Sequence, residues 1–183
     1  MENIEELANK ALEYFYNSEY KKALSAYYKI LSCDIENSSN YYNIGLVYEF
    51  LDEYELSVSY YKKAIRIDNN IRAINNLARI YLEKINDIDI AKQYLDFAIK
   101  TKPDDAEAYH IYGNISFNDK DYKLAESYFK KSIFYDEKFF KNYYDIAKVY
   151  LEMNDKTKAK EMLDKCIELK SDFSPAIELL KSL

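Results

Sequence analysis

An all-α stack of paired helices is the fold this sequence predicts, and three observations predict it. Small and apolar residues recur every 34 positions, each period carries two stripes at helical spacing, and turn-forming residues are nearly absent. The 183-residue chain contains 2 Gly and 2 Pro, too few for the many turns of a sheet fold. Its 49% hydrophobic and 32% charged residues are the composition of a chain that folds.

The period is clearest in the second helix of each unit. Ala23, Ser57, Ala91, Ala125 and Ala159 are spaced by 34, and a large side chain follows four residues later at Tyr27, Tyr61, Leu95, Phe129 and Leu163. Three further on stand Ile30, Ala64, Ala98, Ser132 and Cys166. Steps of four and three keep all of these on one helical face. The first helix carries its own stripe. Repeat one, 4–37, is the weakest copy, with Leu7, Lys10, Ala11 and Tyr14. Repeat two, 38–70, reads Tyr41, Ile44, Gly45 and Tyr48.

Repeat three, 71–105, reads Ile74, Leu77, Ala78 and Tyr81. It starts one residue early and has one extra residue before its second helix, near 84–87. Without that shift Arg79 would fall in the small-residue slot, which close packing forbids. Repeat four, 106–139, has Tyr109, Tyr112, Gly113 and Ser116, and repeat five, 140–173, has Tyr143, Ile146, Ala147 and Tyr150. Residues 174–183 predict a capping helix with Ser174 as N-cap and Pro175 at the first helical position. A helix pair cannot bury both stripes alone, so the units must stack, and 1–183 is expected to be one domain.

This pattern resembles the tetratricopeptide repeat (TPR). The aromatic slot holds Tyr or an aliphatic residue rather than Trp, and the closing Pro survives only as Pro103. The resemblance implies a right-handed superhelical α-solenoid whose concave face is lined by the first helices and binds peptide or protein. The implied groove residues are Asn9, Leu12 and Phe15; Tyr42, Asn43 and Leu46; Arg72, Asn75, Asn76 and Arg79; His110 and Asn114; and Lys141, Tyr144 and Lys148. Aromatic anchors near the N-terminus and Arg72, Arg79, Lys141 and Lys148 beyond suggest a ligand with an apolar anchor and acidic residues. The alternative for these cations is a solvated helix face balanced by Glu83, Glu107, Asp145 and Glu152. Asn9, Asn43 and Asn76 hold equivalent places, suited to a ligand backbone or to local helix support. The Lys/Asn/Asn/Lys/Arg set with which the family's chaperone adaptors hold acidic tails is matched in none of the three repeat windows. Phe139, Phe140 and Phe173 are expected to fold back as staples rather than form an exposed patch.

The same residues argue against catalysis. His110 is the single histidine, both glycines are explained by packing, and no phosphate loop or metal spacing exists, so no cofactor is expected. A net charge of −6 disfavours nucleic acid as partner. No apolar run reaches the roughly eighteen residues of a membrane span, and MENIEELANK lacks secretory features, so a cytoplasmic location is expected. Cys33 and Cys166, near opposite ends, are expected to be reduced and buried. A monomer or weak homo-oligomer is expected. Self-assembly through the outer face of the imperfect first repeat is the alternative function.

Overall fold

The computed structural model describes residues 3–183, and among them every regular element is helical. The helices are α1 (Ile4–Tyr16), α2 (Tyr20–Cys33), α3 (Ser38–Phe50), α4 (Tyr54–Asp68), α5 (Ile71–Ile80), α6 (Ile88–Thr101), α7 (Ala106–Asn118), α8 (Tyr122–Tyr135), α9 (Phe140–Glu152), α10 (Lys156–Leu169) and α11 (Ser174–Lys181). Two compact units are present, one reaching to Phe97 and one from Ala98 to Leu183.

Both units use the same local rules. Side chains accept from the first free backbone N–H groups at Asn3, Asn37, Asn70, Asp87, Asp121 and Asp155, each cap stabilising by about 1 kcal/mol. First helices end in a left-handed residue at Ser18, Asp52, Asn86, Lys120 and Asn154, themselves 34 apart. The N–H of the next residue then reaches back five positions, as from Glu19 to the Tyr14 carbonyl and from Asp155 to the Tyr150 carbonyl, both 2.8 Å.

Repeat three reaches back six. Asp87 N–H bonds the Tyr81 carbonyl at 2.8 Å, because α5 runs into a π-helical turn over Tyr81–Ile85. That wider turn houses the extra residue that the sequence places there, so the second helix resumes in register.

In the first unit the core is formed by Leu7, Ala11, Ala23, Tyr27, Ile30, Ile44, Tyr61, Ala64, Leu77 and Leu95, all under a tenth exposed. In the second it is formed by Ala125, Phe129, Ile146, Ala147, Leu163 and Cys166, all at most 1% exposed. At Gly45 and Gly113 two helices cross with no room for a side chain. A Cβ on Gly45 would lie 2.7 Å from Tyr61 Cδ1, and one on Gly113 would sit against the Phe129 ring.

Two expectations are corrected. Cys33 is exposed, as the last residue of α2 and three residues past Ile30, where the buried stripe ends, whereas Cys166 is buried. Burial pushes the Cys166 thiol up to about 11. Helix α11 begins one residue early, with Phe173 as the capping position and Ser174 already helical. The Ser174 hydroxyl donates to Glu178 at 2.9 Å instead of capping.

Candidate functional site

In the first unit the expected surface is built on α1, α3 and α5. Leu12 is 38% exposed, Phe15 is half-buried and Asn9 is exposed. The Phe15 ring meets Phe50 edge-on at 5.0 Å between centroids and Tyr20 at 5.9 Å, with Tyr16 beside it at 5.8 Å. Phe50 and Tyr16 stay 55% and 79% exposed, so the C-terminal ends of α1 and α3 present an open aromatic cluster. Four residues before Phe50 on α3 is Leu46, and four before that is Tyr42. This single stripe runs back to Arg72, whose guanidinium lies 4.9 Å from the Tyr42 ring centroid.

Beneath that stripe the polar groups of α3, α4 and α5 close on one another. Arg79 pairs with Glu49 at 2.8 Å and donates to the Asn76 amide oxygen at 3.2 Å. Asn76 donates to the Tyr61 hydroxyl at 2.9 Å, and Tyr61 donates to Glu49 at 2.8 Å. Burial first, and the Glu49 charge second, push the Tyr61 phenol far above its ordinary range. Asn75 and Asn76 are 1% and 6% exposed. The expectation that these two amides face a ligand is therefore corrected: they lie in the packed layer, and Asn76 is engaged within the unit. Asn9 is exposed and Asn43 half-buried, and neither amide is engaged by the described residues.

In the second unit Asp145 organises the first-helix face. His110 Nε2–H donates to one carboxylate oxygen at 2.9 Å, and the Lys148 ammonium contacts the other at 2.8 Å. Burial resists ionisation of Asp145, but the His110 hydrogen bond and the Lys148 charge outweigh it and hold the carboxyl below its usual range. Lys148 also lies 5.0 Å from the Phe117 ring centroid and 5.3 Å from that of Tyr144. The phenylalanines are half-buried but pack on preceding first helices rather than stapling the helix that follows: Phe139 lies 4.9 Å from His110 on α7, and Phe173 meets Phe140 at 5.0 Å and Tyr144 at 5.3 Å on α9. Asn114 is half-buried and Lys141 is exposed, next to Glu107 and Asp136 in a polar cleft at the starts of α7 and α9.

Tetratricopeptide-repeat models match residues 38–71 and 140–173, and a second tetratricopeptide-repeat model matches 76–137. The chain belongs to the tetratricopeptide repeat family. Among solved structures it is similar to YrrB, described as "a TPR protein with an unusual peptide-binding site". That match is 27% identical with TM-score 0.60, and covers 100% of this chain and 93% of that one. The fold is also that of Pseudomonas aeruginosa pilF, with TM-score 0.80 at 20% identity over 98% of this chain and 83% of that one. It is shared too by TTC0263, a thermophilic TPR protein of Thermus thermophilus, with TM-score 0.80 at 14% identity over 98% of both chains. A curated relative, protein O-mannosyl-transferase Tmtc3 of Drosophila melanogaster, is 25% identical over 154 residues, 83% of this chain but 16% of that protein.

As a TPR chain the molecule offers two unlike first-helix faces. The face on α1, α3 and α5 keeps open apolar surface and, in Arg72, a cation with no ion pair among the described residues. The face on α7 and α9 is internally neutralised around Asp145. Sequence reasoning missed Tyr16, Tyr20 and Phe50 as members of the aromatic cluster. Phe50 carried a usable signal, since it continues the Tyr42–Leu46 stripe by four. Among the described residues no group of His, Cys, Asp and Glu could hold a metal ion, and no helix is long and apolar enough to cross a membrane.

Proposed function

We propose that this TPR chain is a non-catalytic interaction module that takes a peptide or protein segment on its first-helix surface and works as a cytoplasmic adaptor. The observation that carries the proposal is the open aromatic cluster of Phe15, Tyr16 and Phe50, with Leu12 exposed one turn before Tyr16 on α1. A folded protein gains by burying such rings, and rings in this setting supply most of the energy at interfaces. The peptide-binding site named for YrrB supports the same use of the fold. Arg72 supports a ligand that combines an apolar anchor with acidic residues. The proposal treats 1–183 as one functional domain and assigns no catalytic role. Its single histidine is held by Asp145, and Cys166 is buried with a raised thiol pKa.

Short random peptides selected on the immobilised chain test the idea. Selected sequences should carry an aromatic or aliphatic residue. They should lose on the order of 10- to 100-fold in affinity to a Leu12→Asp, Phe50→Asp variant whose helical circular dichroism is unchanged. Equal affinity of the variant would remove the first-helix surface from the function. The chain is expected to act as a monomer or weak homo-oligomer, with Lys10, Lys22 and Lys29 around the cleft between α1 and α2 opposing close self-association there. Light scattering across concentration checks that.

A further inference from the structure

The first-helix face of the first unit differs in charge from one end to the other, and this asymmetry fixes what kind of segment fits. At the start of α5 stands Arg72, exposed, with its guanidinium carbon 4.9 Å from the Tyr42 ring centroid. This guanidinium has no ion pair among the described residues, and a guanidinium's planar N–H fork suits a bidentate carboxylate acceptor. Arg79, two turns along α5, is a poorer partner because its charge is already paired with Glu49 and the same nitrogen donates to Asn76. Its surroundings are further screened by the negative charge of Glu83. Thus one end of the face attracts a carboxylate and the other repels it. The repelling end is also the end where Phe15, Tyr16 and Phe50 leave open apolar surface.

From Tyr42, under Arg72, to Phe50 is eight residues of α3, about 12 Å at 1.5 Å per residue. An extended chain covers that in about three to four residues at roughly 3.3 Å each. A helical ligand would need about eight. Asn9 on α1 and Asn43, next to Tyr42 on α3, carry amides unengaged by the described residues. An extended backbone has unpaired N–H and C=O groups for them, whereas a helix has already satisfied its own.

We propose that the first unit binds an extended peptide segment in which an Asp or Glu side chain is separated by three to four residues from an aromatic or large aliphatic side chain. The carboxylate bonds the Arg72 guanidinium, and the apolar side chain enters the Phe15–Phe50 cluster. This rests on the proposed first-helix surface and adds the ligand's charge, spacing and orientation.

Fluorescence anisotropy on the full chain tests it with labelled peptides amidated at the C-terminus, so that side chains supply the only carboxylate. The series holds one Phe and one Asp at separations from one to eight. Affinity is expected to peak at three to four, to fall roughly tenfold when Asp becomes Asn, and to weaken with salt. Arg72→Glu should lose the Asp peptide and gain the same peptide carrying Lys in its place. An optimum near eight would mean a helical ligand and overturn the extended mode. Binding that requires Phe50 but ignores the Asp, its spacing and the Arg72 swap would overturn this inference while leaving the adaptor proposal standing. No binding by any member of the series, together with failure of the random selection, would remove both.

Discussion

Ser57 stands where the other four repeats carry alanine, fully buried, its hydroxyl without a hydrogen-bond partner. An unpaired buried hydroxyl costs about 1–3 kcal/mol by mutational measures, and alanine is also the better helix former by a few tenths of a kcal/mol. Ser57→Ala should therefore stabilise the chain by about 1 kcal/mol. The measurement is a urea midpoint that rises at constant m-value; a lower midpoint would reveal a partner for the hydroxyl. The slot itself is legible in the sequence, because a period of 34 exposes every occupant to comparison. Which polar atoms find partners is not. The Tyr61–Glu49–Arg79–Asn76 network joins residues on three helices, and periodicity gives each residue's helical phase but not the rotamers that bring them together. For that reason Arg79 reads as a ligand-facing cation and is instead neutralised in place, while Arg72, seven residues earlier, remains available.

At the scale of the elements, two devices repeat and both can be tested. The left-handed residue closing each first helix is never glycine here, although glycine carries no Cβ penalty in that conformation. Asn and Asp tolerate it through their short polar side chains; Lys120, at φ 61°, does not. Lys120→Gly should raise stability by about 1 kcal/mol, with a smaller gain at Asn154, both read as thermal midpoints. A fall at Lys120 would mean that its side chain contributes more than its backbone strain costs. The second device is the match between the small slot and the large one facing it. Gly45 and Gly113 lie against Tyr61 and Phe129, while by register the same slots pair Ala78 with Leu95 and Ala147 with Leu163, all buried. The first repeat departs by combining Ala11 with Tyr27. Gly113→Ala places a methyl against the Phe129 ring, and should cost about 1–3 kcal/mol despite alanine's helix propensity. Adding Phe129→Leu reproduces the combination of repeats three and five. The double variant should then be less destabilised than the two single effects summed, by about 1 kcal/mol or more. Strict additivity would sink the packing argument. The slip in repeat three was readable from the misfit of Arg79. Its realisation as a π-helical turn was not, because a one-residue insertion can equally be absorbed by a loop.

For the whole molecule, the repeat count and the helix pairing follow from the period, whereas the division into two compact units within α6 has no mark in the sequence. Ionisation acts on the chain as a sum over residues, and its sign can be worked out on both sides of neutrality. Burial pushes the Tyr27 phenol up to about 12 and Tyr61 higher still. Both stay neutral in the folded chain at a pH where unfolded tyrosine, near 10, ionises. Their contribution is intact below pH 10 and is lost as pH rises towards the folded values, by about 1.4 kcal/mol per pH unit for each. The net charge of −6 adds repulsion in the same direction as more tyrosines ionise. On the acid side Glu126 and Asp145 are held below their usual range by Lys130 and by His110 with Lys148 respectively. Their contribution is present above about pH 4 and is lost as pH falls through the lower folded values. The thermal midpoint should therefore be flat from mildly acid to mildly alkaline pH and fall at both ends. Tyr27→Phe separates the alkaline limb from general charge repulsion. It should leave the midpoint at pH 7 nearly unchanged and make the decline above pH 10 shallower, with tyrosinate absorbance appearing together with loss of helix in the parent chain. An equally steep decline in the variant would assign the limb to net charge and exposed tyrosines, and would mean that the Tyr27 hydroxyl reaches water in the folded state.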